Sequence, residues 1–568
     1  MNYKKLAEVY EALGGTTKRL EKIDILSKFL KQLDESDRDI LYLLLGDIYP
    51  EYDERKIGIS NQLTIKAISK ATGIDEKNVI NKWKEIGDLG KVAEVLILKK
   101  SQSTLHKYVL TTEKVLENLR KLPGLEGKGT VGKKISLITE LLTSASPVEA
   151  LYLTRTLIGD LRIGVKESTV RNAMAAAFFD SEKDAIKKIQ DAIDKSNDLA
   201  AVFDVTRERK LGGFDELQLQ VGKPVKVMLA QKAKSIKDAF EAVGKPCAIE
   251  YKYDGFRLVI HKKGGNIILF TRRLENVTKQ FPEVVEYVKK YVKGNSFILD
   301  SEAVGFHKKT KEYKPFQEIS QRIKRKYDIE RLQNELPVEI NVFDILYYNG
   351  KSFLNEPFEK RTALIKKIIR NHPYKIIHAK QIITSDEKRA EEFYRQSLKN
   401  NQEGVMFKNL KTVYQPGGRV GHMLKVKPEE KDLDLVITGG IYGTGKRSGW
   451  LSSFILSCRD KNGKLLEIGK VGTGIKEKAE MGISFKELTE KLKPHITEEK
   501  GKKVKIKPKI VVSITYQEIQ KSPNYSSGFA LRFPRFTALR PDKPLSEIAD
   551  LKEVESDFKS QKRNWRYG

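Results

Sequence analysis

The residues with the clearest chemical potential surround Lys252, in the run Glu250-Tyr251-Lys252-Tyr253-Asp254-Gly255-Phe256-Arg257. The Asp-Gly pair that follows the lysine predicts a tight turn, which places the amine at the end of a strand. The neighbouring acids and the arginine can set the protonation state of this amine and hold a phosphate. The run therefore predicts chemistry between a lysine and a phosphate-bearing ligand.

Further along the chain, acidic side chains stand within or beside apolar strands. In the run 298–304, Asp300 and Glu302 are two residues apart, so both project from one face of a strand. Glu403 directly precedes the apolar run 404–407. Carboxylates in such surroundings are costly unless they meet a metal, an arginine or a ligand hydroxyl. An ordinary ion pair is the alternative interpretation.

Aromatic and basic residues follow in the same order. Phe343 begins an apolar strand and is available to stack on a base, and Lys425 and Lys427 alternate on one strand face. For the two lysines, a solvated strand face is the alternative. Further basic residues recur near the end of the chain, in the runs 532–536 and 540–543.

The chain as a whole is strongly basic. Of 568 residues, 106 are Lys or Arg and 76 are Asp or Glu, which gives a formal charge of +30. Because phosphate neutralisation dominates nucleic-acid affinity, this excess favours a nucleic-acid partner. A thermophile surface is the alternative, but it would raise Lys and Glu together.

Cysteine and histidine usage excludes other classes of site. Two cysteines cannot form a disulfide framework, and the seven histidines show no zinc spacing. The N-terminus lacks the apolar core of a signal peptide, and no window approaches a membrane span. We expect a cytoplasmic, nucleoid-associated protein without membrane contact.

The elements that must position these residues fall into three regions. Residues 1–215 show helical spacing of apolar residues, and a glycine-rich break at 212–224 precedes mixed helices and strands up to 427. A β-meander is expected over 247–272. After a polar hinge at 428–432, strands at 435–442, 451–458, 465–471 and 509–516 suit a small barrel such as an OB-fold.

One connection in the helical region carries basic residues. Gly159–Lys166 is a glycine-punctuated link between two helical runs, and backbone N–H groups at a helix start suit phosphate contacts. A packed helical hairpin with solvated charges is the alternative. The candidate DNA contacts here are Arg155, Arg162, Lys166 and Arg171.

Taken in order, these runs resemble motifs I, III, IIIa, IV, V and VI of the ATP-dependent DNA ligases, across residues 230–545. The run Arg155–Gly164 is similar to the DNA-binding domain of the archaeal and eukaryotic replicative type, so the resemblance covers nearly the whole chain. Val227 replaces the usual proline before Met-Leu-Ala, and His422 lies where many relatives have a tryptophan. Neither departure removes a charged group.

The resemblance implies a multidomain α+β protein. Its parts are an all-α DNA-binding domain at 1–215, an α+β nucleotidyltransferase (adenylation) domain at 216–427, and a C-terminal OB-fold β-barrel with a helical tail at 428–568. The implied activity is sealing of nicks in double-stranded DNA, in replication, repair, recombination and cell division. ATP and Mg²⁺, with Mn²⁺ as an alternative metal, are the expected cofactors of a monomeric enzyme.

The resemblance also assigns roles by matching position. Lys252 resembles the nucleophile that becomes AMP-lysine. The other implied roles are contacts on the adenine and ribose side by Glu250 and Arg272, base stacking by Phe343, phosphate contacts by Arg257, Arg419, Lys425 and Lys427, ribose or metal contacts by Glu302 and Glu403, and contacts to the pyrophosphate end of ATP by Arg532, Arg535, Asp542 and Lys543.

A short segment at 102–109 resembles the peptide that docks on sliding clamps. Its anchors would be Gln102, Leu105 and Tyr108, followed by Val109 where a second aromatic residue is usual. An ordinary β-strand or loop is the alternative.

Other functions remain as alternatives at this point. An RNA ligase or an mRNA-capping guanylyltransferase shares the lysine chemistry, but the long helical N-terminal region suits duplex DNA. A catalytically inactive DNA-binding scaffold would need neither Lys252 nor the charges around it. A P-loop ATPase is disfavoured because the sequence has no Gly-x-x-x-x-Gly-Lys-Ser/Thr.

Overall fold

A computed structural model of the chain describes residues 1–53, 55–99, 109–127, 129–208, 211–325, 327–428, 431–443, 447, 449–477 and 482–563. Within these ranges, none of the helices is both long enough and apolar enough to cross a membrane. Cys247 and Cys458 are buried free thiols, as expected of a chain without a disulfide framework.

The N-terminal region is helical, as its apolar spacing predicts. Apolar residues that recur three or four positions apart place one face of each helix in a common core, which extends from Tyr3 to Phe214. The helices are α1 Tyr3–Gly15, α2 Arg19–Leu30, α3 Ile40–Leu43, α4 Asn61–Thr72, α5 Glu76–Ile86, α6 Leu89–Leu98, α7 Thr112–Lys121, α8 Thr130–Ser144, α9 Pro147–Leu157, α10 Glu167–Phe178, α11 Lys183–Ser196 and α12 Leu199–Arg207, with short 3₁₀ helices at Glu35–Asp37 and Leu211–Glu216.

The central region mixes strands and helices. Its elements are β1 Leu229–Lys232, α13 Ile236–Val243, β2 Cys247–Lys252, β3 Phe256–Lys263, β4 Asn266–Thr271, α14 Pro282–Tyr291, β5 Ser296–Gly305, α15 Phe316–Lys324, α16 Ile329–Glu335, β6 Val338–Tyr348, β7 Lys351–Ser352, α17 Phe358–Ile368, β8 Ile376–His378, β9 Gln381–Thr384, α18 Glu387–Lys399, β10 Gly404–Asn409 and β11 Arg419–Val426, with a 3₁₀ helix at Thr278–Gln280.

These strands form two sheets that face each other. One sheet has the order β1-β11-β10-β2-β9, and the other has the order β4-β3-β5-β6-β7 with β8 beside β6. An apolar cluster joins them, to which Val259 and Ile298 contribute from one sheet and Val420 and Met423 from the other. The cleft between the sheets is therefore anchored by a shared core.

The predicted meander over 247–272 is only partly right. β3 and β4 form the expected hairpin, but β2 pairs with β10 and β9 in the opposite sheet. The Asp254-Gly255 turn thus carries the chain from one sheet to the other. Glycine is required at 255, because a Cβ there would lie 2.3 Å from the carbonyl oxygen of Ala303.

The helical region contacts the central region through a half-buried lysine, Lys226. The Lys226 amine lies 2.6 Å from the Glu167 carboxylate and 2.8 Å from the Glu51 carboxylate. The Asn197 amide also donates to the carbonyl oxygen of Pro224 at 2.6 Å. Ion pairs and hydrogen bonds therefore dock the two regions on each other.

The C-terminal region is rich in strands and has the OB-fold character that the sequence predicts. The long first strand pairs with the second along one edge and with the fifth and sixth along the other, which curves the sheet into a barrel. The elements are β12 Lys431–Tyr442, β13 Leu451–Arg459, β14 Leu465–Val471, α19 Phe485–Leu492, β15 Ile496–Lys500, β16 Lys503–Ile506, β17 Val511–Tyr516, β18 Glu518–Lys521, β19 Phe529–Arg532, β20 Arg535–Leu539 and α20 Leu551–Arg563, with 3₁₀ helices at Lys493–His495 and Leu545–Glu547.

The four predicted strands of this region correspond to β12, β13, β14 and β17, whereas β15, β16 and β18–β20 were not predicted. Polar and charged residues dominate β15, whereas β16 alternates lysine with Val504 and Ile506 over only four residues, which is too short a run to stand out. Of the expected hinge, Lys431 and Asp432 already belong to β12, and residues 429–430 lie outside the described ranges.

Candidate active site

Lys252 ends β2, and its side chain contacts Glu403, which directly precedes the neighbouring strand β10. Its Nζ lies 2.6 Å from Oε2 of Glu403, and the Lys427 amine contacts the same oxygen. Gly404 is the register partner of Lys252 and has a φ of 138°, and a Cβ there would lie 2.2 Å from the carbonyl oxygen of Val426. Glycine thus lets three neighbouring strands bring one carboxylate and two amines together.

The charges of this cluster perturb one another. Burial favours protonation of Glu403, but the charges of Lys252 and Lys427 outweigh it and lower the pKa of Glu403 to about 2. Burial and the charge of Lys252 lower the pKa of Lys427, and the same two causes lower the pKa of Lys425. The result is an ionised carboxylate among closely spaced cations, which is a setting for a polyanionic ligand.

The opposite sheet presents Arg257 and Glu302 as register partners on β3 and β5. The Arg257 guanidinium is held by the buried carboxylate of Asp300, to which its Nε donates at 2.8 Å, and by the Met228 carbonyl oxygen at 2.7 Å. Burial and the neighbouring carboxylates raise the pKa of Glu302 to about 7, although Lys252 and Arg257 act in the opposite direction. An additional cation beside Glu302 would therefore stabilise its ionised form.

A second pair of buried charges lies deeper in the cleft. Oε2 of Glu250 is 2.6 Å from the Lys408 amine, and the Gln381 amide donates to its other oxygen at 2.9 Å. Phe343 is flanked by two cations, with the Arg257 guanidinium 5.2 Å and the Lys408 amine 4.8 Å from its ring centre. The structure thus brings two predicted base contacts, Glu250 and Phe343, to a common lysine.

Two of the predicted nucleotide contacts, Arg272 and Arg419, are exposed at the ends of strands. Arg272 is exposed in the turn after β4, and Arg419 is exposed at the start of β11. The charge of Arg419 contributes to the lowered pKa of Lys425, after burial and the charges of Lys252 and Lys427. Arg419 thus belongs electrostatically to the lysine cluster.

The C-terminal region reaches the cleft through Arg532. Burial and the charge of Glu403 raise the pKa of Asp254 to about 6, and the Arg532 charge acts against this rise. Arg532 itself lies 3.1 Å from the Glu518 carboxylate. Arg532, on β19 of the C-terminal region, is therefore close enough to the Lys252 cleft for its charge to act on Asp254.

The other predicted C-terminal contacts lie on or after β20. Arg535 is exposed at its start, and the Lys543 amine lies 2.6 Å from the Asp434 carboxylate on β12. Asp542 pairs with Arg540 at 2.7 Å, and the hydrogen bond from Arg540 is the main cause that lowers the pKa of Asp542 to about 2. Asp542 and Lys543 thus contact residues of their own region.

The predicted DNA contacts of the helical region surround one carboxylate. Asp88 lies 2.7 Å from the Arg155 guanidinium and 3.1 Å from that of Arg162, and it also caps α6. Arg155 is largely buried, with 11% of its side chain exposed, whereas 28% of Arg162 is exposed. Asp88 therefore fixes the connection between α9 and α10.

The two remaining basic residues of this set lie on the helix that follows. Lys166 is the residue directly before α10, and Arg171 donates to the amide oxygens of Asn172 and Gln190. The residues predicted to dock on a sliding clamp, Gln102, Leu105 and Tyr108, lie outside the described ranges, whereas Val109 is exposed.

Several residues of the site were not selected from the sequence. A signal did exist for Lys408, since a lysine inside an apolar strand needs a partner. Asp254 belongs to the run around Lys252, but it received no individual role there. The partners of Gln381 and Tyr414 lie far away in the chain, and no local pattern indicates them. The missed residues are Asp254, Gln381, Lys408 and Tyr414, of which Tyr414 donates to Asp300 at 2.7 Å.

A helical region, a two-sheet region with a lysine in its cleft and an OB-fold barrel together define a multidomain nucleotidyltransferase. Residues 2–175, 227–427 and 447–543 match the families described as DNA ligase N terminus, ATP dependent DNA ligase domain and ATP dependent DNA ligase C terminal region. The chain belongs to the ATP-dependent DNA ligase family.

Individual DNA ligases are similar to this chain over nearly its whole length. The DNA ligase of Nanoarchaeum equitans is 45% identical over 565 residues, with 99% of both chains covered. The DNA ligase of Methanopyrus kandleri is 41% identical, with 98% of both chains covered. In fold, the chain is similar to the solved structure of Pmar-Lig_PreS3, with a TM-score of 0.58 at 18% identity, over 94% of this chain and 99% of that one.

Proposed function

We propose that this ligase seals nicks in duplex DNA by carrying AMP on Lys252. The observation that supports this role is the position of the Lys252 amine, 2.6 Å from Glu403 and beside the basic pair Lys425 and Lys427. An amine among cations, in a cleft between two sheets, is placed to meet the phosphates of a nucleotide.

In the first step, the Lys252 nitrogen attacks the α-phosphorus of ATP. An N–P bond forms, the bond to the β-phosphate breaks, pyrophosphate leaves, and the proton lost by the amine passes to solvent. The ionised Glu403 carboxylate directs the amine, while Lys425, Lys427 and Arg419 offset the charge of the phosphates. Lys252 thereby becomes AMP-lysine.

On the base side, Glu250 and Phe343 would hold the adenine, and Arg272 would contact the ribose. Arg257 is the remaining predicted phosphate contact. Its guanidinium lies beside the Phe343 ring, and Asp300 keeps it fixed there. A fixed guanidinium needs little reorganisation when the nucleotide enters, and this supports its assignment to the nucleotide site.

The carboxylates of the cleft fit a divalent cation that arrives with ATP. Across the described ranges, no group of three His, Cys, Asp or Glu side chains is arranged to bind a metal alone. Mg²⁺ in nucleotide sites commonly uses one or two carboxylates together with phosphate oxygens. Glu302 and Glu403 would hold Mg²⁺, with Mn²⁺ as an alternative, and the ion would neutralise phosphate charge.

The later steps need DNA in the cleft. The 5′-phosphate of a nick attacks the phosphorus of AMP-lysine and releases Lys252, and the adjacent 3′-hydroxyl then displaces AMP. Arg532, Arg535, Asp542 and Lys543 would act on the pyrophosphate end of ATP during the first step. The barrel would then rotate about the chain near Pro428 to admit DNA.

The proposed function also assigns a role to each region of the chain and a set of binding partners. Residues 1–215 would bind DNA, 216–427 would transfer the nucleotide, and 428–568 would form the barrel with its helical tail. A charge of +30 supports binding to nicked duplex DNA. DNA contacts are proposed for Arg155, Arg162, Lys166 and Arg171. We also propose clamp docking through 102–109, a monomeric state and a nucleoid-associated cytoplasmic location.

The proposal is tested by intact mass after incubation with ATP and Mg²⁺. Wild type should gain one AMP, K252A should gain none, and nicked duplex DNA should discharge the adduct with formation of a sealed strand. Absence of the adduct on wild type would overturn the role of Lys252. Discharge by nicked RNA alone would assign the enzyme to RNA.

A further inference from the structure

We infer that Lys408 is a positioning residue that sets the choice of nucleobase, because it keeps Glu250 a pure hydrogen-bond acceptor. This inference rests on the proposed function, in which Glu250 and Phe343 hold the base of the nucleotide that reacts with Lys252. Lys408 itself touches neither the phosphates nor the reacting amine in this proposal.

The first support is a short ion pair that is shielded from water. The Lys408 amine and Oε2 of Glu250 are 2.6 Å apart, and only 6% and 4% of the two side chains are exposed. Glu250 precedes Lys252 by two positions on β2, so both side chains project from the same face of the strand. A base held by Glu250 therefore lies in a fixed relation to the amine that attacks.

The second support is that Lys408 also contacts the predicted stacking residue. Its Nζ donates to the Phe343 carbonyl oxygen at 3.3 Å and lies 4.8 Å from the centre of the Phe343 ring. One ammonium group thus fixes both the group that would bind the edge of the base and the ring that would cover its face.

The third support is the orientation of Gln381. Its Oε1 accepts from the Lys366 amine at 2.9 Å, so its Nε2 is directed towards Glu250 and donates to Oε1 at 2.9 Å. Each carboxylate oxygen of Glu250 therefore receives a donor from the protein. Burial and the charge of Asp344 raise the pKa of Glu250, and Lys408 and Gln381 oppose that rise.

This arrangement discriminates between the two purines. A carboxylate only accepts hydrogen bonds, whereas a protonated carboxyl group also donates. Adenine offers an amino group at the position where guanine has a carbonyl oxygen, so an ionised Glu250 suits adenine and repels guanine. A site built to bind a polar group rejects a partner that leaves its buried groups unpaired. Lys408 would thus favour ATP over GTP.

The test compares wild type with K408M and K408R in the full chain. Formation of the lysine adduct is followed by intact mass, with ATP or GTP as the donor, from pH 6 to pH 9. In K408M, we expect kcat/KM for ATP to fall about tenfold to a hundredfold, mainly through KM. The preference for ATP over GTP should shrink at least tenfold. The KM of K408M for ATP should fall as the pH rises, because Glu250 then becomes ionised even without Lys408.

K408R keeps the positive charge, so it should retain the preference for ATP and a flat pH dependence of KM. E250Q should lose the preference without gaining the pH dependence, since an amide does not titrate in this range. K360M is the matched lysine control, because Lys360 is exposed on α17 and pairs with Glu356. Its nucleotide preference should equal that of wild type.

Thermal unfolding and affinity for duplex DNA, measured on every variant, report whether the chain is folded. An unchanged ATP-to-GTP ratio in a folded K408M would overturn the inference, as would equal losses with both nucleotides at every pH. If K408M does not fold, an unchanged ratio in E250Q would overturn it. Absence of any AMP adduct on wild type would instead refute the proposed function.

Discussion

Glu403 and Lys252 contact each other through both their backbones and their side chains. The Glu403 N–H donates to the Lys252 carbonyl oxygen at 2.8 Å, and the Glu403 carboxylate lies 2.6 Å from the Lys252 amine. The pairing of β2 with β10 therefore sets the distance between the proposed nucleophile and the carboxylate. Changes that move these strands should affect the chemistry even when no charged group is removed.

G404A should separate these strands. Gly404 has a φ of 138°, and an added Cβ would lie 2.2 Å from the carbonyl oxygen of Val426. We expect the free energy of unfolding to fall by about 2 to 4 kcal/mol and adenylylation to be lost. Urea unfolding and intact mass measure the two effects. G265A is the control, since nothing lies within 4 Å of its new Cβ. Full activity in G404A would contradict the prediction.

E302Q should stabilise the ligase while it impairs catalysis. Burial raises the pKa of Glu302 to about 7, so the folded chain holds this proton more tightly than the unfolded chain. The wild-type carboxyl group therefore lowers the free energy of unfolding as the pH rises from its unfolded pKa towards 7. Glutamine does not titrate.

We accordingly expect the stability advantage of E302Q over wild type to grow by about 1 to 3 kcal/mol between pH 5 and pH 8. Urea unfolding at both pH values measures it. The same variant should form AMP-lysine more slowly, since one proposed metal ligand is lost. An advantage that stays constant with pH would show that Glu302 is ionised in both states.

R532A should separate binding of ATP from its reaction. Arg532 lies on β19 of the C-terminal region, and its charge acts on Asp254 beside the cleft. We expect the rate of adenylylation to fall about a hundredfold, with a small change in ATP affinity, because the lost charge acts mainly on the departing pyrophosphate. Single-turnover adduct formation and equilibrium ATP binding measure the two quantities. R395A, on the exposed face of α18, is the control, and equal losses of binding and rate in R532A would contradict the prediction.

D88A and D88N should separate two roles of one carboxylate. Asp88 caps α6 and holds Arg155 and Arg162. Loss of the cap and of the buried pair should destabilise D88A by about 3 kcal/mol, whereas asparagine retains the cap and should cost less. Both variants should bind nicked DNA more weakly, because the connection from Gly159 to Lys166 loses its anchor. Thermal unfolding and gel-shift titration check this, and undiminished DNA affinity in both would refute it.

The sequence predicted the strands that carry the reactive groups better than it predicted their neighbours. Lys252, Phe343 and Lys425 lie on the expected strands, because alternation and turn residues are local signals. The Asp254-Gly255 turn was interpreted as a hairpin, although only the distant pairing of β2 with β10 decides its geometry. Lys408 and Gln381 were not predicted as partners of Glu250 for the same reason, because they contact it from elements that lie far away in the sequence.

The crossing of the chain between sheets at Asp254-Gly255 also decides when activity emerges during folding. The hairpin of β3 and β4 forms from residues close in sequence, whereas β2 must wait for β10 and β9, which come much later in the chain. Long-range pairing is slow because the entropy of closing the loop must be overcome first. A chain still emerging from the ribosome can therefore form its local hairpins and helices before the site that reacts with ATP is assembled. The capacity to react with ATP then marks the completion of the central domain.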